Sequence, residues 1–188
     1  ALRYEVAEQL AQEVHETGRF SVETDSILGV LPSYTQLGKA VLLPMPKHPP
    51  LITYKDGQKA VFVDGKSSAG EEARSAILQA VEGVAIDYVK LKAFNKSQLR
   101  EFSKPYKIVY IYHNTIDDHG DSRKTQHDTV DVCARAINEL NQLINRLMGD
   151  ANASRIFVTA DHGFLYQQSD LDDEIKKLDS NINIPIIF

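Results

Sequence analysis

Leu2, Val6, Leu10 and Val14 recur along the chain with Glu and Gln between them, and Gly18 follows. That spacing lines one face of a helix and predicts an amphipathic α-helix over residues 2–17 with a glycine stop. Residues 20–31 read as extended, Pro32-Ser33-Tyr34-Thr35 breaks the run, and Gln36 to Leu43 resumes a helical composition. The expected unit is a strand, a turn carrying hydroxyls and a helix, whose free N–H groups could receive a phosphate. From about 44 to 106 the texture changes, with four of the seven prolines at Pro44, Pro46, Pro49 and Pro50 and a hairpin turn expected at Asp56-Gly57. This stretch reads as an inserted cap whose helix spans Gly70 to Val81, where Ala73, Ile77 and Val81 align.

An apolar strand is predicted over Lys107 to Tyr112, followed by a polar loop from His113 to Asp121. Within that strand Tyr110 and Tyr112 alternate with Val109 and Ile111, so at least one tyrosine belongs to the core. The clearest helix carries Val130, Cys133, Ala134, Ile137, Leu140, Ile144 and Leu147 on one stripe before Gly149. Arg155 to Ala160 then reads as a second buried strand delivering Asp161-His162-Gly163. Helices alternating with short apolar strands predict an α/β fold with parallel strands. Ligands in such folds bind outside the carboxyl ends of the strands, where the acidic and histidine-bearing segments fall.

The Asp161-His162 corner offers one carboxylate and one imidazole, a donor set that suits a hydrolytic Zn²⁺ or Mn²⁺. The alternative is an aspartate capping the next turn beside an exposed histidine. A second cluster gathers His113, Asp117, Asp118, His119, Asp121 and His127 in a chain with six histidines. Residue by residue a solvated loop with a helix cap is the plainer account; as a group they suit metal ligation. Thr35 could be a nucleophile activated by a metal or the cap of the helix it opens, and Ser67-Ser68 reads as a cap of the next helix. Arg3, Arg74 and Arg123 could each hold a phosphate or sit as surface charges, with Arg123 favoured by its place in the acidic loop.

A length of 188 residues suits one domain, and 43% hydrophobic with 25% charged residues are globular proportions. A net charge of -5 provides no general attraction to nucleic acid or anionic lipid, so strong nucleic-acid binding by this segment is not expected. No run approaches the roughly 18 apolar residues that span a bilayer, so no membrane association is expected. A single cysteine, Cys133, excludes a disulfide scaffold and a thiolate cage and points to a cytoplasmic protein. The opening Ala1-Leu2-Arg3 and the close at Ile186-Ile187-Phe188 suggest a segment of something longer.

Ala1 to Glu5, the segment LGVLPSYTQLG (28–38), Val63-Asp64-Gly65, YIYHNTIDDHGD (110–121) and TADHGFLYQ (159–167) together resemble the PglZ domain, in the same order across essentially the whole chain. The resemblance implies an alkaline phosphatase-like core, a mostly parallel sheet flanked by helices with a small insertion. It implies a metal-dependent phosphoester hydrolase, a monoesterase or diesterase of a BREX or Pgl phage-defence protein, holding two divalent ions, zinc or manganese. Thr35 matches the nucleophile that also binds metal, Asp161 and His162 match a pair sharing one ion, and Asp117 matches the aspartate opening the other site. For its partner, His127 is preferred over His119, with His113 and Asp121 as further candidates and Arg123 for the substrate. The family's first and last metal ligands would lie before Ala1 and after Phe188. The implied partners are the other defence components, a DNA methyltransferase and an ATPase among them. The rival readings are a non-catalytic assembly module of the defence complex and a metal-dependent nuclease.

Overall fold

The structure is a computed structural model that describes residues 1–31, 33–44, 52–55, 60–120 and 129–163. The first helical pattern folds as α1 (Tyr4–Glu16), burying Leu10 and Val14, and Gly18 beyond its end takes φ +64°, the left-handed conformation that glycine adopts without strain. After it, Phe20 and Val22 pack against the α1 cluster, while Ile27, Leu28 and Leu31 are exposed. No strand forms over 20–31. An extended apolar run becomes a strand only when a neighbour accepts its backbone hydrogen bonds, and none among the described residues does here. The next helix is α2 (Thr35–Val41).

Three antiparallel strands follow, β1 (Ile52–Lys55), β2 (Ala60–Val63) and β3 (Lys66–Ser67), with Lys55 opposite Ala60. The expected Asp56-Gly57 turn lies outside the described residues. The predicted helix over 70–81 is found as α3 (Gly70–Leu78) plus one 3₁₀ turn at Gln79–Val81. Its N-cap is Ala69, so neither serine caps it: the Ser68 hydroxyl donates to the Val61 carbonyl at 2.8 Å, and Ser67 Oγ accepts from the Ala69 N–H.

The segment 44–106 is not a separate cap. It supplies β4 (Gly83–Asp87), which pairs in parallel with β5 (Ile108–Tyr112) in the register Ala85 to Tyr110 and Ile86 to Ile111. Between them run α4 (Tyr88–Lys92) and α5 (Lys96–Ser103), the latter closed by a reciprocal Asn95–Gln98 capping box. The apolar composition of 83–87 belongs to a strand of the parallel pair, buried on both faces, rather than to an insertion. Among the described residues the parallel pairing is this one pair; the other ladders are antiparallel.

The two faces of this pair hold different cores. Ala85, Tyr110 and Tyr112 meet Ala40 of α2 and Leu43 just after it, Val61 and Val63 of β2, and Leu78 of α3. Ile86, Val109 and Ile111 meet Leu91, Leu99 and Leu143. The alternation of tyrosine and aliphatic residues in β5 is thus resolved with both tyrosines on one face. Leu78, Leu91 and Leu99 are fully buried, each contributing roughly 1.5–3 kcal/mol of transfer free energy.

Beyond β5 the expected polar loop is in part a helix, α6 (Thr115–Gly120), because Ile116 buries against Val132 and Ala136. Those residues lie on α7 (Thr129–Asp150), which also packs on α1 through Ile137 and on α5. Contact on several sides moves its buried arc: Val132, Ala136 and Leu143 are buried, whereas Val130 and Ala134 of the predicted stripe are exposed. Residues 155–160 form no strand, and Phe157 is 82% exposed. They line a crevice of about 930 Å³ that β5 also lines, close to the sheet without the ladder that would make them part of it. Among the described residues no helix is long and apolar enough to cross a membrane.

Candidate functional site

Helix α2 begins at Thr35 without a side-chain cap: its N-cap is Tyr34, in an extended conformation, and no side chain closes the first turn. The Thr35 hydroxyl is engaged elsewhere, with Oγ1 lying 3.0 Å from His162 Nε2. The other ring nitrogen, Nδ1, is 2.8 Å from the Gly163 carbonyl oxygen. A carbonyl can only accept, so Nδ1 carries the proton, Nε2 presents its lone pair, and Thr35 donates to it.

Asp161 stands beside this pair, buried, with Oδ2 at 3.6 Å from His162 Nε2 and without a hydrogen-bond partner. Its close approach to α2 depends on Gly38, where a Cβ would fall 2.4 Å from the Asp161 carbonyl oxygen. The corner is also tied to the start of the chain, since the Leu2 N–H donates to the His162 carbonyl at 3.0 Å. The Ala1 backbone nitrogen lies 2.8 and 2.9 Å from the two Asp117 oxygens and 3.6 Å from Asp161 Oδ1, so the two carboxylates converge on one point.

Thr35, Asp117, Asp161 and His162 are therefore brought together from α2, α6 and the 161–163 corner. His113 is not with them. Its Nε2 is 2.9 Å from Glu139 Oε2, which also accepts from Thr115 Oγ1 at 2.7 Å, and its ring lies 4.6 Å from that of Tyr88. This arrangement pins the β5–α6 turn to α7. Burial acts to raise the Glu139 carboxyl, but hydrogen bonds from Thr115 and His113 outweigh it and hold the group below its ordinary range. His119 lies in α6 with its side chain outside the described residues, as are Asp121, Arg123 and His127. Of the other two candidate arginines, Arg3 pairs with Glu5 and Arg74 is buried.

Sequence reasoning missed two features of this region. Gly38 interrupts a helical stretch, and a glycine retained there at a cost of roughly 0.5–1 kcal/mol signals a close approach. Tyr112 reaches the site edge from β5 with its hydroxyl buried, and burial pushes its phenol up to about 12. Only the fold reveals that position.

The donor chemistry fits a divalent cation. Thr35 Oγ1 and His162 Nε2 face each other at 3.0 Å, and a buried carboxylate oxygen with no partner stands next to them. Among the described residues no three His, Cys, Asp or Glu side chains form a metal-holding group by themselves, so the set relies on the threonine oxygen.

The family described as the BREX system PglZ alkaline phosphatase-like domain matches residues 1–183. The alkaline phosphatase-like protein BrxZ of Escherichia coli O9:H4 (strain HS) is 44% identical over 171 residues, covering 91% of this chain and 19% of that protein. The alkaline phosphatase-like protein PglZ of Bacillus cereus (strain H3081.97) is 37% identical over 181 residues, covering 94% of this chain and 21% of that protein. The chain thus spans about a fifth of the length of these curated relatives. No solved structure matches it. With a family match over nearly its whole length and two relatives at 44% and 37% identity, the chain belongs to the PglZ alkaline phosphatase-like domain family.

Proposed function

We propose that this domain is the phosphoester-hydrolysing part of a cytoplasmic BREX or Pgl phage-defence protein, with Thr35 as its nucleophile. The observation that carries the reading is the 3.0 Å contact between Thr35 Oγ1 and His162 Nε2, beside the unpartnered Asp161 Oδ2. Asp161, His162 and Thr35 would hold one divalent ion, zinc or manganese; Asp117 would open a second site, with His127 as its expected partner. When bound, such ions polarise a phosphoryl oxygen and favour the ionised hydroxyl.

The chain's own residues prepare the attack. Thr35 Oγ1 and His162 Nε2 face each other at 3.0 Å, and the Nδ1–H bond to Gly163 orients the ring so that Nε2 is turned towards the hydroxyl and the ion both would hold. With its proton released to solvent, Oγ1 attacks phosphorus, the ester P–O bond breaks, and the leaving oxygen takes a proton from water. Water then cleaves the phosphothreonine and restores the hydroxyl. Other defence components, a DNA methyltransferase and an ATPase among them, are the proposed partners of the full-length protein.

The test uses full-length protein, its metal content measured by elemental analysis, and an aryl phosphate. Thr35→Ala is expected to abolish turnover with folding intact, and Asp161→Ala to lower the bound zinc or manganese. Undiminished hydrolysis by the Thr35 variant would remove the assigned nucleophile. A metal-free complex that still functions in defence would favour an assembly role instead.

A further inference from the structure

Among the described residues, three buried side-chain polar atoms lack a hydrogen-bond partner: Asp161 Oδ2, Tyr112 Oη and Arg74 Nε. The first belongs to the site above. The other two are donors, and both residues line one cleft of about 280 Å³ with Lys39, Glu71, Asp87, Lys90 and Asn114. Arg74 is only 9% exposed, and its guanidinium carbon stacks 4.0 Å from the centre of the Tyr112 ring, with Lys39 Nζ 5.7 Å from the same centre.

The cleft's two acids are already engaged. Glu71 accepts from Lys90 Nζ at 3.0 and 3.2 Å and from the Asp87 N–H at 2.9 Å; Asp87 accepts from the Val89 N–H at 2.8 Å as the cap of α4. Neither Arg74 nor Lys39 has a carboxylate partner among the described residues. A buried guanidinium without a counter-ion is unfavourable, and the missing component it calls for is an anion, which would also satisfy the Tyr112 hydroxyl.

The position of the cleft identifies the anion's source. Lys39 lies one helical turn after Thr35 on α2, and Lys39, Tyr112 and Asn114 also line the crevice containing Asp117 and Asp161. An anion on Arg74 would therefore be a neighbour of the phosphoester at Thr35. A polyanion is disfavoured, because the cleft is small, two carboxylates stand in its wall and the chain's net charge is -5.

We infer that the Arg74 cleft is an anion subsite that holds the second, non-reacting phosphate of a small diphosphate-type substrate while the first is attacked at Thr35. The substrate assignment rests on the proposed hydrolase reading; the binding of an anion to Arg74 does not.

Inorganic pyrophosphate and inorganic phosphate serve as probes of full-length protein by isothermal titration calorimetry, with Arg74→Met and Lys39→Met as variants. Pyrophosphate is expected to bind about tenfold or more tightly than phosphate, and each variant to lose about that factor for pyrophosphate, as for the loss of one charge-assisted hydrogen bond. In turnover, the ratio of kcat/KM for a nucleoside diphosphate to that for an aryl phosphate should fall about tenfold in Arg74→Met. Circular dichroism checks the fold of each variant, and Lys39→Met supplies the deciding measurement if the buried substitution misfolds.

Equal affinity for the two probes, or pyrophosphate binding unchanged in the folded variants, would overturn the subsite. Tighter Arg74-dependent binding of a single-stranded oligonucleotide than of pyrophosphate would overturn the small substrate. If Thr35→Ala leaves hydrolysis intact while Arg74→Met weakens pyrophosphate, the Thr35 nucleophile fails and the anion site stands. If Thr35→Ala abolishes hydrolysis while Arg74→Met binds pyrophosphate as wild type does, the anion site fails and the hydrolase reading stands.

Discussion

Replacing Gly38 by alanine tests the contact that seats the Asp161 corner against the helix bearing Thr35. Gly38 is inside α2, where alanine is favoured over glycine by roughly 0.5–1 kcal/mol. The added Cβ would lie 2.4 Å from the Asp161 carbonyl oxygen, 2.8 Å from its Cβ and 2.9 Å from its carbonyl carbon. None of these atoms is the far end of a flexible side chain. Carbon contacts relax near 3.5–4.0 Å, so helix and corner must part by about 1 Å. Overpacking of this kind costs about 1–3 kcal/mol, and a cost of about 2.5 kcal/mol within that range, less a propensity gain of about 0.5 kcal/mol, leaves a net loss of about 2 kcal/mol. In a domain of this size that lowers Tm by roughly 4–8 °C. The same displacement opens the 3.0 Å Thr35–His162 contact, and a shift of about 1 Å in a reacting group lowers turnover on the order of a hundredfold. Gly149, near the end of α7, has nothing within 4 Å of its Cβ position, so Gly149→Ala should be neutral to stabilising by up to about 1 kcal/mol. Thermal unfolding of both variants by circular dichroism, with aryl phosphate hydrolysis by the full-length protein, makes the comparison. Gly38→Ala as stable as Gly149→Ala and as active as wild type would refute the reasoning.

Three further substitutions probe the neighbourhood. Tyr112→Phe removes a buried hydroxyl that has no partner and should stabilise the anion-free protein by about 1 kcal/mol at neutral pH; a loss of stability in urea denaturation contradicts this. Because burial raises that phenol from 10.0 to about 12, its contribution is complete below pH 10 and disappears as pH rises towards 12, so Tyr112→Phe should flatten the stability curve in that window. Glu139→Gln weakens the tie from β5 and α6 to α7. Its carboxyl is held below the ordinary value of 4.5, so the stability difference from wild type should be present above that pH and shrink in acid, as thermal melts across pH would show. Leu99→Ala empties a fully buried position in the cluster behind β5 and should cost about 2–5 kcal/mol in urea denaturation, against near neutrality for the exposed Val130→Ala.

Local periodicity made much of the scaffold legible. The patterns over 2–17, 70–81 and 130–147 correspond to α1, α3 with its 3₁₀ turn, and α7, since a helix writes its own repeat into the chain whatever it packs against. β5 was legible as an apolar run. Runs at 20–31 and 155–160 look similar and form no strand, because strandhood requires a partner that the run does not contain. The reverse error hid β4 inside an expected insertion, although it is the strand that pairs with β5.

The candidate chemistry divides the same way. Residue types and motif order alone marked Thr35, Asp117, Asp161 and His162, but the turn bearing Thr35 could as well have been a helix cap. Tertiary structure set the hydroxyl against an imidazole 127 positions away rather than in a cap, and it brought Asp117 and Asp161 together at the Ala1 nitrogen. It also detached His113 to Glu139 and left Arg74 buried without an acid. Each of these outcomes depends on contacts between distant segments, and a local pattern carries no information about how such segments meet.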